Sequence, residues 1–242
     1  MNQVIQQLKE RKSVRVFTDR QITPEAVAAI LEAAVNAPTA GNQQLYTVIH
    51  VTDPRLKVQL AESCDHQPFI AKAPLVLVFC ADCRKWYSAF RAYGCNPRKP
   101  GVGDLMLAVS DTNIAAQNAV VAAQSLGIGS CYIGDIMENA EQQRQLLSLP
   151  PYVFPAAMLV FGYPTVGQLE HQKPPRSEMC HIVHENGYRD MDAGELKQML
   201  SVKAGARSFE EWIQAFCNRK YNSDFSREMT RSVEVFLEDF QK

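Results

Sequence analysis

Leu75-Val-Leu-Val-Phe-Cys80 places six apolar residues in succession. Side chains of a strand alternate between its two faces, so a run without polar alternation must be covered on both sides and belongs at the centre of a sheet. Helices suited to covering it are marked nearby. Thr23 as N-cap, Pro24 at the first helical position and Glu25 in the first turn open a helix whose Val27, Ile30, Leu31 and Ala34 share one face, and Asp53-Pro54 opens another to about Glu62. From Gly103 to Leu126, Leu105, Met106, Val109, Ile114, Ala115, Ala119, Val120 and Ala123 make a long alanine-rich helix that is apolar on more than one side, as a buried helix or one at a dimer interface would be. Further strands are expected at Tyr46 to Val51, just before Gly134, and at Phe154 to Tyr163, with helices over 2–10 and Glu138 to Leu147. Beyond Tyr163-Pro164 the chain turns polar and proline-rich, then helical from Asp192 on, with a break at Asn218 to Asp224.

Among 242 residues, 25 are Lys or Arg and 26 Asp or Glu, so no overall field would draw in nucleic acid or an anionic membrane. MNQVIQQLKERK has no apolar core of a signal peptide, and no stretch approaches the ~18 apolar residues of a membrane span. A soluble, cytoplasmic protein is expected, with no nucleic-acid or membrane partner. Its seven cysteines are an odd number scattered through apolar stretches, which favours reduced thiols over a disulfide framework. Cys80-Ala-Asp-Cys83 has redox or zinc spacing but lacks a second ligand pair, so a strand-end cysteine and an incidental one is the simpler reading, and no metal is expected.

Arg11-Lys-Ser-Val-Arg15 carries more chemistry. Extended backbone would turn Arg11, Ser13 and Arg15 to one side and Lys12 and Val14 to the other. Two guanidinium forks flanking a hydroxyl suit the oxygens of a phosphate monoester, although such a stretch can also do no more than solvate a face. Pro38-Thr39-Ala40-Gly41-Asn42-Gln43-Gln44 combines a helix stop, a glycine and small polar residues, a loop able to bring backbone close to a ligand.

R-x-S-x-R at 11–15, Glu32-Ala-Ala-Val-Asn-Ala-Pro-Thr-Ala-Gly-Asn42, Leu126-Gly-Ile-Gly-Ser-Cys-Tyr-Ile-Gly134, Leu149-Pro-Pro-Tyr-Val-Phe-Pro155 with Phe161-Gly-Tyr-Pro164, and Lys173-Pro-Pro-Arg176 occur in this order. Over residues 2–185 the chain thereby resembles the nitroreductase/flavin reductase family. Asp65-His66-Gln67, His184-Glu185-Asn186 and the helical tail make it most similar to the NADPH-preferring, oxygen-insensitive branch.

The resemblance implies an α+β fold with a central, mostly antiparallel sheet flanked by helices, in an intertwined homodimer with FMN at the interface. It implies one domain over 1–242, with 164–242 forming a basic clamp and helical tail. Arg11 and Ser13 match phosphate-binding positions, and Arg15 a basic residue near the ribityl chain and the N1/C2 carbonyl side of the ring. Thr39, Ala40, Gly41 and Asn42 match a loop reaching the flavin from the partner subunit, and Gln67 an amide on the pyrimidine edge. Ile133, Gly134 and Asp135 match the segment facing N5 and O4, while Lys173 and Arg176 match a second phosphate clamp. Arg219 and Lys220 match a mobile basic loop that holds the 2′-phosphate of NADPH, with Lys203 and Arg207 as an alternative pair.

The implied reaction is a ping-pong transfer of hydride from NADPH or NADH through the flavin to a small-molecule acceptor such as a nitroaromatic, a quinone or free flavin, with no side chain needed as nucleophile or obligatory acid. Asp135 stands where the family usually has a second glycine, and the clamp carries an extra proline before Arg176; both bear on access and binding. Rival readings are a flavoenzyme of this fold with other chemistry such as reductive dehalogenation, a non-catalytic FMN-binding redox module, and a thiol or zinc protein built on Cys80 and Cys83.

Overall fold

The computed structural model describes residues 2–241, which form two compact units, one of the chain up to His171 together with Glu228 onward, the other of Gln172–Arg227. In chain order the first unit contains α1 (Gln3–Glu10), α2 (Pro24–Val35), β1 (Tyr46–His50), α3 (Pro54–Ser63), α4 (Pro68–Lys72), β2 (Leu75–Asp82), α5 (Arg84–Ala92), α6 (Val102–Ser125), β3 (Gly129–Ile133), α7 (Ala140–Leu147), β4 (Val153–Gly162) and α8 (Val166–Glu170). The second contains α9 (Ala193–Ser201), α10 (Phe209–Lys220) and the start of α11 (Asp224–Gln241), the rest of which belongs to the first.

Helix starts follow the local chemistry. The side chains of Asn2, Thr23 and Asp53 accept from Val4 N at 2.9 Å, Ala26 N at 3.3 Å and Arg55 N at 2.8 Å, satisfying amides that the first turn leaves open. The sheet is antiparallel throughout, in the order β1-β2-β4-β3. All eight residues of β2 are buried, and they divide by parity: Val76, Val78 and Cys80 enter one apolar cluster, Leu75, Leu77 and Phe79 the other. This is the two-sided cover that the uninterrupted apolar run requires. Helix α6 closes the second face with Ala115, Ala116, Ala119 and Ala123, whose small side chains admit Ile30 and Ala34 of α2. The register of β2 on β4 shifts between Phe79 and Cys80, where Pro155 lies opposite Cys80 and cannot donate to the ladder.

Several boundaries differ from the pattern. β2 continues two residues past Cys80 because Asp82, though buried, accepts from Thr47 Oγ1 at 2.6 Å and from the amides of Arg84 and Lys85. Helices α4, α5 and α8 are additional to the expected elements; α5 is amphipathic yet buries none of its residues. In the second unit α9 begins with a reciprocal Asp192/Glu195 cap, and Trp212 of α10 is buried. No helix among the described residues is long and apolar enough to cross a membrane.

The segment at 11–15 is drawn onto the sheet by Ser13, which bridges Ser130 in parallel, and by Val14 N, which donates to Ser130 O at 3.0 Å. Val14 is buried there against Gly129, where a Cβ would meet Val14 Cγ2 at 2.5 Å and Cβ at 2.8 Å. Val14 is stiff at χ1 and cannot swing away. Gly129→Ala is therefore expected to cost about 1–3 kcal/mol by overpacking, read as a shift of the urea midpoint; an unchanged midpoint would show that 11–15 is loosely held.

Candidate functional site

The alternation expected at 11–15 is present. Val14 faces the core, and Lys12 turns away to donate to the carbonyl oxygens of Leu169, at 2.6 Å, and His171. Arg11, Ser13 and Arg15 converge around Cys131 of β3, where their charges and hydrogen bonds partly oppose the burial that raises its thiol pKa. Arg11 lies 5.7 Å over the ring of Tyr132 and Arg15 6.0 Å over that of Phe69. The Nε and Nη2 nitrogens of Arg11 are buried without a hydrogen-bond partner. A guanidinium kept from water with two donors unmet calls for an anion.

A second group forms at the end of β3. Ile133 is buried, Gly134 is exposed, and Asp135 begins a 3-10 turn to Met137. Gln67, expected on the pyrimidine edge, donates through Nε2 to Asp135 Oδ2 at 2.8 Å and to Cys64 O at 2.8 Å. Asp135 is thus tied down by a neighbour that also belongs to the expected site. Beside it lies Glu138, a buried carboxyl that sequence reasoning passed over.

The loop expected to approach the flavin is built on Asp111. That carboxylate is 3 % exposed inside α6 and accepts from Thr39 Oγ1, Ala40 N at 3.1 Å and Leu45 N at 3.3 Å. Gly41 and Asn42 both take positive φ, at 56°, so the turn depends on residues that tolerate the left-handed region. Trp86 Nε1 donates to Gln43 O at 2.8 Å, bringing α5 against the loop. Beside it opens a cavity of about 280 Å³ walled by Leu45, Trp86, Tyr87, Phe90 and Leu107, with Arg98 among its polar lining residues.

Lys173, Arg176, Arg219 and Lys220 belong to the second unit. Arg176 is exposed and donates to Pro174 O at 3.0 Å. The expected mobile loop needs correction: Arg219 and Lys220 are the last turn of α10, where cations suit the carbonyl end of the helix, and the irregular break is shorter than the pattern indicated. Arg219 lies 5.3 Å over Phe216, whereas Lys220 lies 5.6 Å over Phe225. Arg207 and Arg219, read from sequence as alternatives, line one cavity of about 330 Å³ with Trp212 and Phe216.

Cys80 and Cys83 are free, and burial pushes both thiols up to about 12, opposite to what a reactive thiolate needs. The ligand atoms of Glu178, Cys180 and His181 lie within 4.8 Å of one another on a short turn where only His181 is buried.

Residues 8–163 match the model of the nitroreductase family. The chain belongs to this family. Its nitroreductase relatives extend beyond that stretch: "FMN reductase [NAD(P)H]" of Bacillus subtilis (strain 168) is 31% identical over 244 residues, covering 98% of this chain and 92% of the relative. "Oxygen-insensitive NADPH nitroreductase" of Salmonella typhimurium is 34% identical over 193 residues, covering 79% and 77%. Among solved structures, B. megaterium NfrA2 superposes with a TM-score of 0.83 at 30% identity, covering 99% of this chain and 98% of that one.

Proposed function

We propose that this nitroreductase-family chain is an FMN-dependent NAD(P)H oxidoreductase that reduces nitroaromatics, quinones or free flavin, acting in the cytoplasm as a homodimer. The observation that carries the reading is Arg11, whose buried Nε and Nη2 lack partners beside Ser13 and Arg15. An FMN phosphate fits that donor set. Bound FMN would supply the two-electron chemistry, accepting hydride from the nicotinamide and passing it to the acceptor.

The protein's part is binding and orientation. Arg11 and Ser13 would hold the phosphate, Arg15 would place positive charge near the N1/C2 carbonyl side, and Gln67 would meet the pyrimidine edge. Thr39 to Asn42 would serve the neighbouring subunit's flavin, with Ile133, Gly134 and Asp135 lining the ring. Lys173 and Arg176, on the extension beyond residue 164 that is read as part of the same domain, would be a second phosphate clamp by the family resemblance. The aromatic walls next to residues 39–44 suit a flat acceptor ring.

The test is a spectrum. Protein loaded with FMN should bleach under NADPH without oxygen and regain its colour on addition of a nitroaromatic or quinone. Slow bleaching by either nicotinamide would favour a redox-sensing module, and failure to take up FMN would end the reading.

Arg219 with Arg207 would receive the 2′-phosphate of NADPH. Arg219→Ala should lower kcat/KM for NADPH about five- to thirtyfold, the equivalent of roughly 1–2 kcal/mol, with NADH little changed. The ratio of the two cofactors guards against a general folding defect. An unchanged ratio removes Arg219 from this role.

A further inference from the structure

Glu178 leads into a single 3-10 turn, Met179–His181. His181 N donates to Glu178 O at 3.2 Å, Ile182 N and Val183 N donate to Met179 O at 3.0 and 2.8 Å, and Ser177 Oγ donates to Met199 O at 3.4 Å, which ties the turn to α9. Residues three apart in such a turn lie on the same side, which gathers Glu178 and His181 with Cys180 beside them. Cys180 Sγ is 3.9 Å from Glu178 Oε2 and 3.8 Å from His181 Nδ1, and the three ligand atoms all fall within 4.8 Å of one another. Among the described residues this is the only group of three histidine, cysteine or carboxylate side chains whose ligand atoms come that close.

The spacing suits one ion. Zinc sits about 2.3 Å from a thiolate sulfur and about 2.0–2.2 Å from an imidazole nitrogen or carboxylate oxygen, so it can join sulfur to either partner across about 4.3–4.5 Å. Both separations from Cys180 fall inside that reach.

Hydrogen bonds alone do not satisfy the three groups. A thiol has one hydrogen and can give it to Glu178 or to His181, not to both. A thiolate would suit a His181 N–H but would lie against the Glu178 carboxylate. A divalent cation answers all three: thiolate and carboxylate balance its charge, and a neutral imidazole adds a ligand without adding charge. Sulfur and imidazole suit zinc, whereas magnesium and calcium take oxygen ligands. Glu178 and Cys180 are exposed, so an ion can enter from solvent, while His181 is 8 % exposed and offers it a fixed ligand.

We propose that Glu178, Cys180 and His181 bind a zinc ion, with water in the fourth position. On binding, the Cys180 thiol releases its proton to solvent and its sulfur bonds to the metal; nothing is oxidised or reduced. The site lies wholly within the second unit and uses none of the residues assigned to flavin or nicotinamide, so it stands whether or not the FMN reading holds.

Cobalt reports on such a site. Full-length protein, reduced and freed of metal by chelation, is titrated with Co2+ and read as a difference spectrum, which cancels any flavin absorption. A near-ultraviolet thiolate-to-cobalt charge-transfer band should appear, saturate at a single Co2+ per chain and disappear when Zn2+ is added; absence of the band overturns the proposal. Cys95 and Cys217 are also free and exposed, so Cys180→Ser distinguishes them. The band should vanish in that variant, and its persistence overturns the assignment. Glu178→Gln changes an exposed side chain and should raise the Kd for Zn2+ roughly tenfold or more, since even groups that only support a ligand are worth about ten- to hundredfold. An unchanged Kd overturns the three-ligand site. If a variant does not fold, wild type decides by iodoacetamide labelling mapped by mass spectrometry. Saturating Zn2+ should slow labelling of Cys180 about tenfold or more and leave Cys95 and Cys217 unchanged. Equal labelling of Cys180 with and without Zn2+ overturns the proposal.

Discussion

Asp111→Ala should lower the free energy of unfolding by about 3–5 kcal/mol and loosen the loop at 39–45. The carboxylate accepts from Thr39 Oγ1, Ala40 N and Leu45 N from a position 3 % exposed, so truncation strands donors that water reaches poorly. Each hydrogen bond to a charged group contributes about 1.5–3 kcal/mol, and the effects within one network are not additive, which sets the range below the simple sum. Urea denaturation should show a lower midpoint with an unchanged slope. Asp111→Asn keeps the shape but turns an NH2 group toward N–H donors, and should cost about half as much. A loss under about 1 kcal/mol for the alanine variant would mean that the loop holds its shape through Gly41 and Asn42 alone.

Arg11→Ala should weaken FMN by roughly tenfold or more, from the loss of charge-assisted bonds of about 1.5–3 kcal/mol. Riboflavin has no phosphate and should bind wild type and variant alike, which separates loss of the anchor from damage to the ring site. The variant also removes two buried, unpartnered nitrogens, so the apoprotein should not lose stability in proportion to the lost affinity. Equal FMN affinity at matched salt would dismiss the anchoring role. The experiment is best done at two salt concentrations, because a partly buried ion contact is screened less than an exposed one.

The parts legible in sequence are those that depend on local periodicity. The double-sided burial of β2 follows from an apolar run without alternation, the alanine face of α6 and the alternation at 11–15 from repeats near 3.6 and of two, and each is present. Asp111 and Glu138 were not legible because a buried polar residue is defined by its tertiary partners; the available signal was an aspartate inside an otherwise apolar helix pattern. Helix α5 was missed for the opposite reason, since it buries no residue and its pattern answers to a neighbouring surface rather than to a core of its own. At Arg219 and Lys220 two cations read as a loop, although they suit the end of a helix equally well.

The strand order also sets a timetable for synthesis. β2 lies between β1 and β4, yet residues 83–152 separate it from β4. A ribosome adding about 5–20 residues per second needs roughly 4–14 s to make that stretch. Throughout that interval eight residues that end up buried have β1 along one edge and an unpaired edge on the other, the arrangement that recruits strands from other chains. The stretch from α5 to α7, which includes β3, therefore acts as a delay line, and lengthening one of its loops should raise the yield of aggregated nascent chains.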